Sequence, residues 1–444
     1  IRLLALFAFA LSATFSPAAL AQDEAPAISG VAEVAPPNTP AGQGLQWVLD
    51  GMNGDEDVKV EGKFADVVLQ QVDVAQLEAG VNTFRAQSGG FDLVRVDEMS
   101  PLRLIAVAQA RADASFWRII VSVEEAGPHL FNGLLFQPAP DEGMESFDSW
   151  DDAWAALEPL GERVSLGIYE VTDGELSPLF EKGGAHRLAM GSTFKLWIAG
   201  ALAEAIEAGE FEWDQMIMIE DRLRSLPSGR MQDLAHGEEH PLEEYATLMI
   251  AISDNTATDH MLDLVGRERV EAFMSRFVAE PDRNLPFLST REIFTIKLDH
   301  EHDLMHRYAE ATPEQRREIL ESEVIGKTPN IMDAGSWTAP RAIDTIEWFA
   351  TGRELCETML ALWNMADRER LGSMRTVLGS NNGLGLSAAD WPRVAFKGGS
   401  WPGVMSLTWV LERADGRVFS VSMTVNDTTK LLEEMRVVGV AKLV

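Results

Sequence analysis

The chain has 444 residues, and 37 Lys and Arg against 70 Asp and Glu give a formal net charge of −33 at pH 7. Nucleic acids and anionic membranes bind basic surfaces, so this acidity argues against both as partners. Hydrophobic residues form 46% of the sequence, which is ample for buried cores, and the length suggests two domains or one large domain with an appendage.

The N-terminal residues have the pattern of an export signal. A basic Arg2 precedes an apolar run over residues 3–15, and Ala19-Leu20-Ala21 places small residues where a signal peptidase recognises them. We therefore expect a signal peptide over residues 1–21 and a periplasmic or secreted protein. The apolar run is too short to span a bilayer and no cysteine follows it, which argues against a membrane anchor.

Residues 22–42 are rich in Pro and Ala without an apolar period, which predicts a disordered tether. A small α+β domain is predicted over residues 43–138, with two helices followed by an antiparallel meander. The predicted helices cover 46–52 and 74–87, and the strands cover 91–97, 102–112, 116–123 and 130–136. This segment has no cluster of Ser, His, Lys and carboxylate that looks like a reaction site. We interpret it as a packing or partner-binding module, with a ligand pocket as the alternative.

A linker rich in Pro, Gly, Asp and Glu is predicted over 139–152, and a second domain over 153–444. This domain opens with a strand at 164–171 and closes with two strands at 404–412 and 418–425, with mostly helix between them. An antiparallel sheet built from both ends of the segment is therefore expected. The single Cys356 shares a helical face with Met359 and Leu360, which indicates a buried thiol.

The first motif that carries chemistry is Ser192-x-x-Lys195, at the start of a helix that is otherwise apolar on every side. Burial without a counter-charge lowers the pKa of a lysine, which makes Lys195 a candidate proton acceptor. Ser192 lies three residues earlier on the same helical face, close enough to give up its proton to Lys195. The alternative is a helix cap followed by a surface lysine, but the apolar context favours the catalytic interpretation.

The second motif is Ser253-Asp254-Asn255, between two predicted helices. A Ser and an Asn two residues apart in a tight turn can point into one cleft, where the Ser relays a proton and the Asn holds a substrate amide. The alternative is that Asp254 or Asn255 caps the following helix.

The third motif is Lys397-Gly398-Gly399-Ser400, at the end of an apolar strand. Glycine allows a substrate to approach the strand closely, and Lys397 can bind a carboxylate. A strand that ends in an ordinary glycine-rich turn is the alternative.

Together and in this order, the motifs resemble those of the serine β-lactamase and penicillin-binding protein superfamily, S-x-x-K, S-D-N and K-T-G. Their separations, 253 − 192 = 61 and 397 − 253 = 144 residues, fit a class A-like domain with an insertion in the second interval. The two-domain layout, with the stretches 225–229 and 286–292, is also similar to serine hydrolases encoded in clavulanic acid biosynthesis clusters. The resemblance implies an α+β chain. A class A β-lactamase-like domain, with an antiparallel sheet flanked by helices and a helical subdomain, would follow a cystatin- or steroid isomerase-like (NTF2-like) domain.

The resemblance also implies roles for these residues. Ser192 would be the acylated nucleophile and Lys195 its general base, directly or through water, while Ser253 would protonate the leaving nitrogen. Asn255 would hold the substrate side-chain amide, and Lys397 would bind the substrate carboxylate. The backbone N–H groups of Ser192 and Ser400 would form the oxyanion hole.

Two departures from the family pattern affect these expectations. Gly398 stands where the family has Thr or Ser, so a hydroxyl that grips the carboxylate is missing, and Ser400 is the candidate to replace it. Glu292, 39 residues after Ser253, is the candidate carboxylate that activates water for deacylation. The usual Glu-x-x-x-Asn pattern fails because position 296 is Ile, so Glu292 could equally be a surface partner of Arg291.

We therefore predict a serine hydrolase that works through an acyl-Ser192 intermediate on a small-molecule β-lactam. A peptidoglycan-like or ester substrate is the alternative, as is a penicillin-acylated binding protein without turnover. No cofactor is expected. His300, His302 and His306, and also His236 with His240, have spacings that could ligate a metal, but their acidic surroundings favour a solvated charged face and we predict no metal.

Overall fold

The computed structural model of the protein describes residues 34–70, 72–140, 142–144, 146–226, 228–299, 303–329, 337 and 339–444. The predicted signal peptide over 1–21 lies outside the described residues, as do His300 and His302. The chain divides into two compact units, of which the first reaches Ser146 and the second extends from Phe147 to Lys442. Among the described residues, no helix has the length and apolar character needed to cross a bilayer.

The first unit packs helices on a four-stranded antiparallel sheet in the order β1-β2-β3-β4. Its elements are α1 (Pro40–Asn53), α2 (Asp66–Leu69), α3 (Val74–Ser88), β1 (Phe91–Met99), β2 (Arg103–Ala110), β3 (Phe116–Val123) and β4 (Phe131–Pro138). The predicted small α+β arrangement is confirmed, and its likeness to cystatin or steroid isomerase stays a prediction.

Helix α1 begins earlier than the sequence pattern suggests, inside the range predicted as a tether. Thr39 caps it by accepting a hydrogen bond from Gly42 N at 3.0 Å, and Pro40 fits the first turn, where no N–H is needed. The buried face of α1, which includes Leu45, Val48 and Met52, packs into the same core as alternate residues of β2 and β3.

The second unit is larger and contains all three motifs. Its helices are α4 (Trp150–Leu157), α5 (Lys195–Glu207), α6 (Leu242–Ala251), α7 (Asn255–Val265), α8 (Arg267–Met274), α9 (Thr290–Lys297), α10 (Asp303–Glu310), α11 (Pro313–Ile319), α12 (Gly352–Met365), α13 (Gly372–Leu378) and α14 (Glu434–Leu443). Its strands are β5 (Arg163–Thr172), β6 (Glu175–Lys182), β7 (Leu188–Ala189), β8 (Met216–Met218), β9 (Glu239–Pro241), β10 (Phe349–Ala350), β11 (Arg393–Trp401), β12 (Val404–Glu412) and β13 (Val418–Asn426).

The principal sheet of this unit has the order β11-β12-β13-β5-β6, so its N-terminal and C-terminal strands pair as predicted. Strands β5 and β13 run antiparallel with Leu166 opposite Met423, and both of these side chains are fully buried. Among the described residues, β11 is the outer strand at one end of this sheet. Cys356 is buried in α12, as its sequence pattern predicts.

Candidate active site

The predicted nucleophile lies in a 3-10 turn, Gly191–Phe194, that leads directly into α5. The first seven residues of α5, Lys195 to Ala201, are all buried, which follows from their apolar character and fixes the turn against the domain core. Ser192 is half-buried, whereas Lys195 has no exposed surface. The helix therefore places a lysine amine inside the protein, one turn from a serine that solvent can reach.

The Lys195 amine is surrounded by neutral oxygen atoms. It donates to the Ser253 carbonyl at 2.6 Å, the Ser253 hydroxyl at 2.9 Å and the Asn255 side-chain oxygen at 2.7 Å. Burial, followed by repulsion from Lys397, holds the pKa of Lys195 well below its usual value. No hydrogen bond joins Ser192 to Lys195 among the described residues, and such bonds often form only when substrate binds.

The second motif forms a strained turn between α6 and α7. Ser253 has φ +58, a left-handed conformation that is uncommon for residues other than glycine and costs about 1–3 kcal/mol. Asp254 stabilises the turn because its carboxylate accepts from Ala257 N at 2.8 Å, Arg230 N at 2.6 Å and Met231 N at 2.9 Å. Asp254 therefore caps α7, and the turn brings the Ser253 hydroxyl to Lys195, while the proton-relay role of Ser253 stays a prediction.

Asn255 is held by the protein at both ends of its amide. Its oxygen accepts from Lys195, and its nitrogen donates to the Leu226 carbonyl at 3.0 Å. The adjacent Ser228 supports the same turn, since its hydroxyl donates to the Ser253 carbonyl at 2.7 Å and its carbonyl accepts from Asn255 N at 2.9 Å. A role for Asn255 in binding a substrate amide stays a prediction.

Strand β11 brings the third motif against the nucleophile. Lys397 is 2% exposed and donates to the Ser253 hydroxyl at 3.1 Å, and burial lowers its pKa to about 7. A Cβ on Gly399 would lie 2.4 Å from Ser192 N, so only glycine permits this contact. A Cβ on Gly191 would lie 3.1 Å from Ser400 N, so the two predicted oxyanion-hole N–H groups belong to touching segments.

The departure at Gly398 has a packing reason. A Cβ at this position would lie 3.0 Å from the Phe396 ring and 3.2 Å from a Leu407 methyl group. The Phe396 ring is itself fixed by stacking on Trp409, with ring centres 4.9 Å apart. A Thr or Ser at 398 would press on this apolar cluster, and the surroundings of Gly398 are accordingly apolar.

Hydrogen bonds hold the Glu292 side chain at the start of α9. It completes a capping box at the start of α9, where its carboxylate accepts from Ser289 N at 2.8 Å. Both carboxylate oxygens also accept from the guanidinium of Arg267, at 2.6 and 3.0 Å. Glu292 pairs with Arg267 rather than with Arg291, and with 8% exposure it is not a surface residue. These contacts favour a structural role over activation of water.

Thr290, the first residue of α9, reaches the Ser253–Asn255 turn and was not among the residues predicted from sequence. Its hydroxyl lies 2.7 Å from the Ser225 hydroxyl, 3.3 Å from the Asn255 carbonyl and 2.8 Å from the Asp259 carboxylate. Asp259 also accepts from the backbone N–H groups of Thr290 and Arg291, and burial raises its pKa to about 7. The sequence signal for this contact was Asp259, a carboxylate inside α7 five residues after the cap residue Asp254.

The remaining candidate residues lie outside this site. His240 contacts Glu238 and Glu244, each at 3.1 Å, and His236 lies 3.7 Å from Asp221. Over the described part of the chain, no group of three or more His, Cys, Asp or Glu side chains is placed to hold a metal ion. His306 lies on α10.

Comparison with known proteins agrees with the fold. The sequence matches the beta-lactamase enzyme family over residues 153–441, and a family described as ORF 12 gene product N-terminal over residues 36–127. No curated protein matches the chain. Among solved structures, a beta-lactamase from Sphaerobacter thermophilus is 22% identical with a TM-score of 0.47, over 66% of this chain and 94% of that one. A beta-lactamase from Chitinophaga pinensis is 16% identical with a TM-score of 0.46, over 66% and 96%.

The family match spans nearly all of the second unit and includes the three motifs whose geometry is described above. It confirms the predicted resemblance to the serine β-lactamase superfamily. The chain therefore belongs to the beta-lactamase enzyme family, and its fold joins Lys195 and Lys397 to the Ser253 hydroxyl and brings Gly399 against Ser192 N.

Proposed function

We propose that the chain is a serine hydrolase that opens a β-lactam ring through an acyl-Ser192 intermediate. The observation that carries the proposal is the Ser253 hydroxyl, which lies within hydrogen-bond distance of both Lys195 and Lys397 beside the nucleophile. These contacts make a proton path from the base to the leaving group, and acyl transfer needs such a path at a serine nucleophile.

In acylation, neutral Lys195 removes the proton of Ser192 as the Ser192 oxygen bonds to the lactam carbonyl carbon. The resulting oxyanion lies between the N–H groups of Ser192 and Ser400. The carbon–nitrogen bond then breaks, and the proton passes from Lys195 through the Ser253 hydroxyl to the departing nitrogen. The lowered pKa of Lys195 supports this assignment, because a lysine with an ordinary pKa would be protonated at pH 7.

Lys397 binds the carboxylate of the substrate. It does so without the hydroxyl that the family pattern places at the next position of the strand. Gly398 contributes no hydroxyl, and the side chains nearest to it are Phe396 and Leu407. Other cations near the cleft are engaged: Arg224 pairs with Asp221 at 2.8 Å, and Arg230 pairs with Glu244 at 3.2 Å. An ester or peptidoglycan-like peptide is therefore the second candidate substrate.

In deacylation, neutral Lys195 accepts a proton from water as the water oxygen bonds to the acyl carbon. The bond between that carbon and the Ser192 oxygen then breaks, and the proton passes from Lys195 to the Ser192 oxygen. We assign Glu292 to the structure of the loop, since Arg267 and Ser289 N occupy its carboxylate. The same contacts favour slow release and, in the limit, a penicillin-acylated protein without turnover.

The test is intact mass against time after the purified protein is mixed with benzylpenicillin or with a chromogenic cephalosporin. We expect an adduct of the substrate mass that is absent in Ser192→Ala and that decays as product appears. A persistent adduct would favour the penicillin-binding alternative. A folded protein that forms no adduct with either compound would refute the β-lactam proposal.

The role of Glu292 is tested in the same assay with Glu292→Gln. We expect the rate of adduct decay to change less than about threefold, because the group is not the base, although loss of the charged pair lowers stability. A decay slowed by about a hundredfold or more, in the range of lost general-base catalysis, would return Glu292 to the catalytic role.

We also propose export, on the evidence of Arg2, the apolar run over 3–15 and the small residues Ala19 and Ala21. The measurement is the mass of the protein recovered from the periplasm or medium of an expressing diderm bacterium. A mass that lacks residues 1–21 supports the proposal, and an unprocessed cytoplasmic product contradicts it.

A further inference from the structure

Trp401 follows the predicted oxyanion-hole residue Ser400 at the end of β11, and the proposed mechanism leaves it without a role. Side chains alternate along a strand, so Lys397, Gly399 and Trp401 lie on the same face of β11. Lys397 contacts Ser253, Gly399 abuts Ser192 N, and a Cβ on Gly191 would lie 3.1 Å from the Trp401 ring. The nucleophile is therefore flanked by Lys397 on one side and Trp401 on the other.

This order gives the two ends of a bound substrate different surroundings. The leaving nitrogen belongs at the Lys397 end, because the Ser253 hydroxyl that protonates it is there. With the carbonyl oxygen between Ser192 N and Ser400 N, the acyl group extends the other way, toward Trp401. Trp401 lies four positions after Lys397, which is about 13 Å at the usual rise of a strand.

The Trp401 ring is the half-exposed member of a rigid aromatic cluster made of Phe294, Trp337 and Trp401. It stacks on Trp337 with ring centres 4.9 Å apart and an interplanar angle of 21°, and it meets the Phe294 ring edge-on at 5.3 Å. Trp337 and Phe294 are only 6% and 4% exposed. The exposed part of this cluster is therefore a flat apolar surface that is already ordered before substrate binds.

A charged pair beneath the cluster holds it in place. Lys297 Nζ lies 5.4 Å from the centre of the Trp337 ring and 5.6 Å from that of Trp401, and it forms an ion pair with Glu347. Both charged side chains are completely buried. Attraction between a buried cation and an aromatic ring favours fixed ring positions.

We infer that Trp401 is a specificity-determining residue, which selects acyl groups that carry a flat aromatic substituent. This inference rests on the proposed acyl-Ser192 function. Stacking on an ordered ring loses little conformational entropy, and aromatic pairs gain more than their buried area alone provides. The net charge of the whole chain, −33, agrees with this, because it would repel an anionic acyl group.

The experiment compares acylation rate constants for two substrate pairs that differ only in the aromatic group. The first pair is benzylpenicillin and 6-acetamidopenicillanic acid, measured by intact mass. The second is p-nitrophenyl phenylacetate and p-nitrophenyl acetate, corrected for their alkaline hydrolysis rates. We expect the wild-type protein to prefer the aromatic member of at least one pair by about tenfold, and Trp401→Ala to lose most of that preference.

Matched variants separate the role of the ring from general damage. Trp150→Ala removes a tryptophan that is 37% exposed on α4 and should leave the preference unchanged. Trp401→Phe should retain most of the preference and Trp401→Leu should lose it, which keeps the test decisive even if Trp401→Ala does not fold.

A wild-type protein that acylates both members of each pair equally would overturn the inference and leave the proposed function intact. An equal preference in Trp401→Leu and the wild type would do the same. Failure of Ser192 to react with all four compounds would overturn both together.

Discussion

Two lysines of the second unit, Lys195 and Lys297, are completely buried at the ends of different helices, and their surroundings differ. The amine of Lys195 donates to a carbonyl, a hydroxyl and an amide, all of them neutral. The amine of Lys297 pairs with the buried carboxylate of Glu347. Burial lowers the pKa of both, but only Glu347 opposes this effect through a direct ion pair.

The comparison shows that burial alone does not make a lysine catalytic. Neutral acceptors leave Lys195 free to exchange a proton with a neighbouring hydroxyl. The carboxylate of Glu347 either keeps the proton on Lys297 as an ion pair or takes that proton up, which leaves both groups neutral. In either form the pair holds two segments of the chain together and moves no proton to substrate. The same substitution at both positions should therefore have opposite consequences.

Lys195→Met is expected to have the largest effect on activity. Removal of a general base lowers the acylation rate by about 10²–10⁴-fold. The unfolding temperature should fall less than in Lys297→Met, since the methionine keeps the apolar stem and the acceptors left without a donor are neutral. The measurements are single-turnover acylation and thermal unfolding. Acylation within tenfold of the wild type would show that another group is the base.

Lys297→Met should do the reverse. It leaves Glu347 buried without its partner, which costs about 3–5 kcal/mol of unfolding free energy. Acylation per folded molecule by p-nitrophenyl acetate, which has no aromatic acyl group to contact Trp401, should stay within about threefold. Denaturant unfolding measures the loss. Lys297→Met combined with Glu347→Leu should recover most of the stability, and a double variant as unstable as the single one would contradict the ion-pair explanation.

A third buried lysine, Lys397, sharpens the comparison through pH. Burial lowers its pKa to about 7, so it is a cation below pH 7 and neutral above it. Binding of a carboxylate-bearing β-lactam should therefore weaken by about tenfold from pH 6 to pH 8, whereas a neutral ester should show no such loss. Lys195 acts in the opposite direction, because its base form is lost as pH falls.

The measurement is the concentration dependence of acylation for both substrates across this range. Lys397→Met is the control, and it should remove the alkaline loss for the β-lactam. A loss of equal size for the neutral ester would show that the effect does not come from attraction between Lys397 and the substrate carboxylate.

Much of the fold could be predicted because it depends on local pattern. Apolar and polar residues alternate in β13, which predicts a strand with one buried face. The residues of α5 are apolar on every side, which predicts a buried helix. The start of α1 was placed too late because a single cap, Thr39, outweighs a Pro-rich composition. The domain boundaries themselves stay predictions.

The candidate site divides in the same way. Sequence alone determined that Ser192 precedes a buried lysine, that Ser253 lies in a turn before a helix, and that glycine at 399 permits a close approach. Those properties follow from residue types within one or two turns of chain. Which partner each side chain chooses was decided only by tertiary structure, because the partners are far apart in sequence. Glu292 pairs with Arg267, which lies 25 residues earlier in the sequence. Asn255 accepts from Lys195, 60 residues earlier, and Trp401 stacks on Trp337, 401 − 337 = 64 residues earlier.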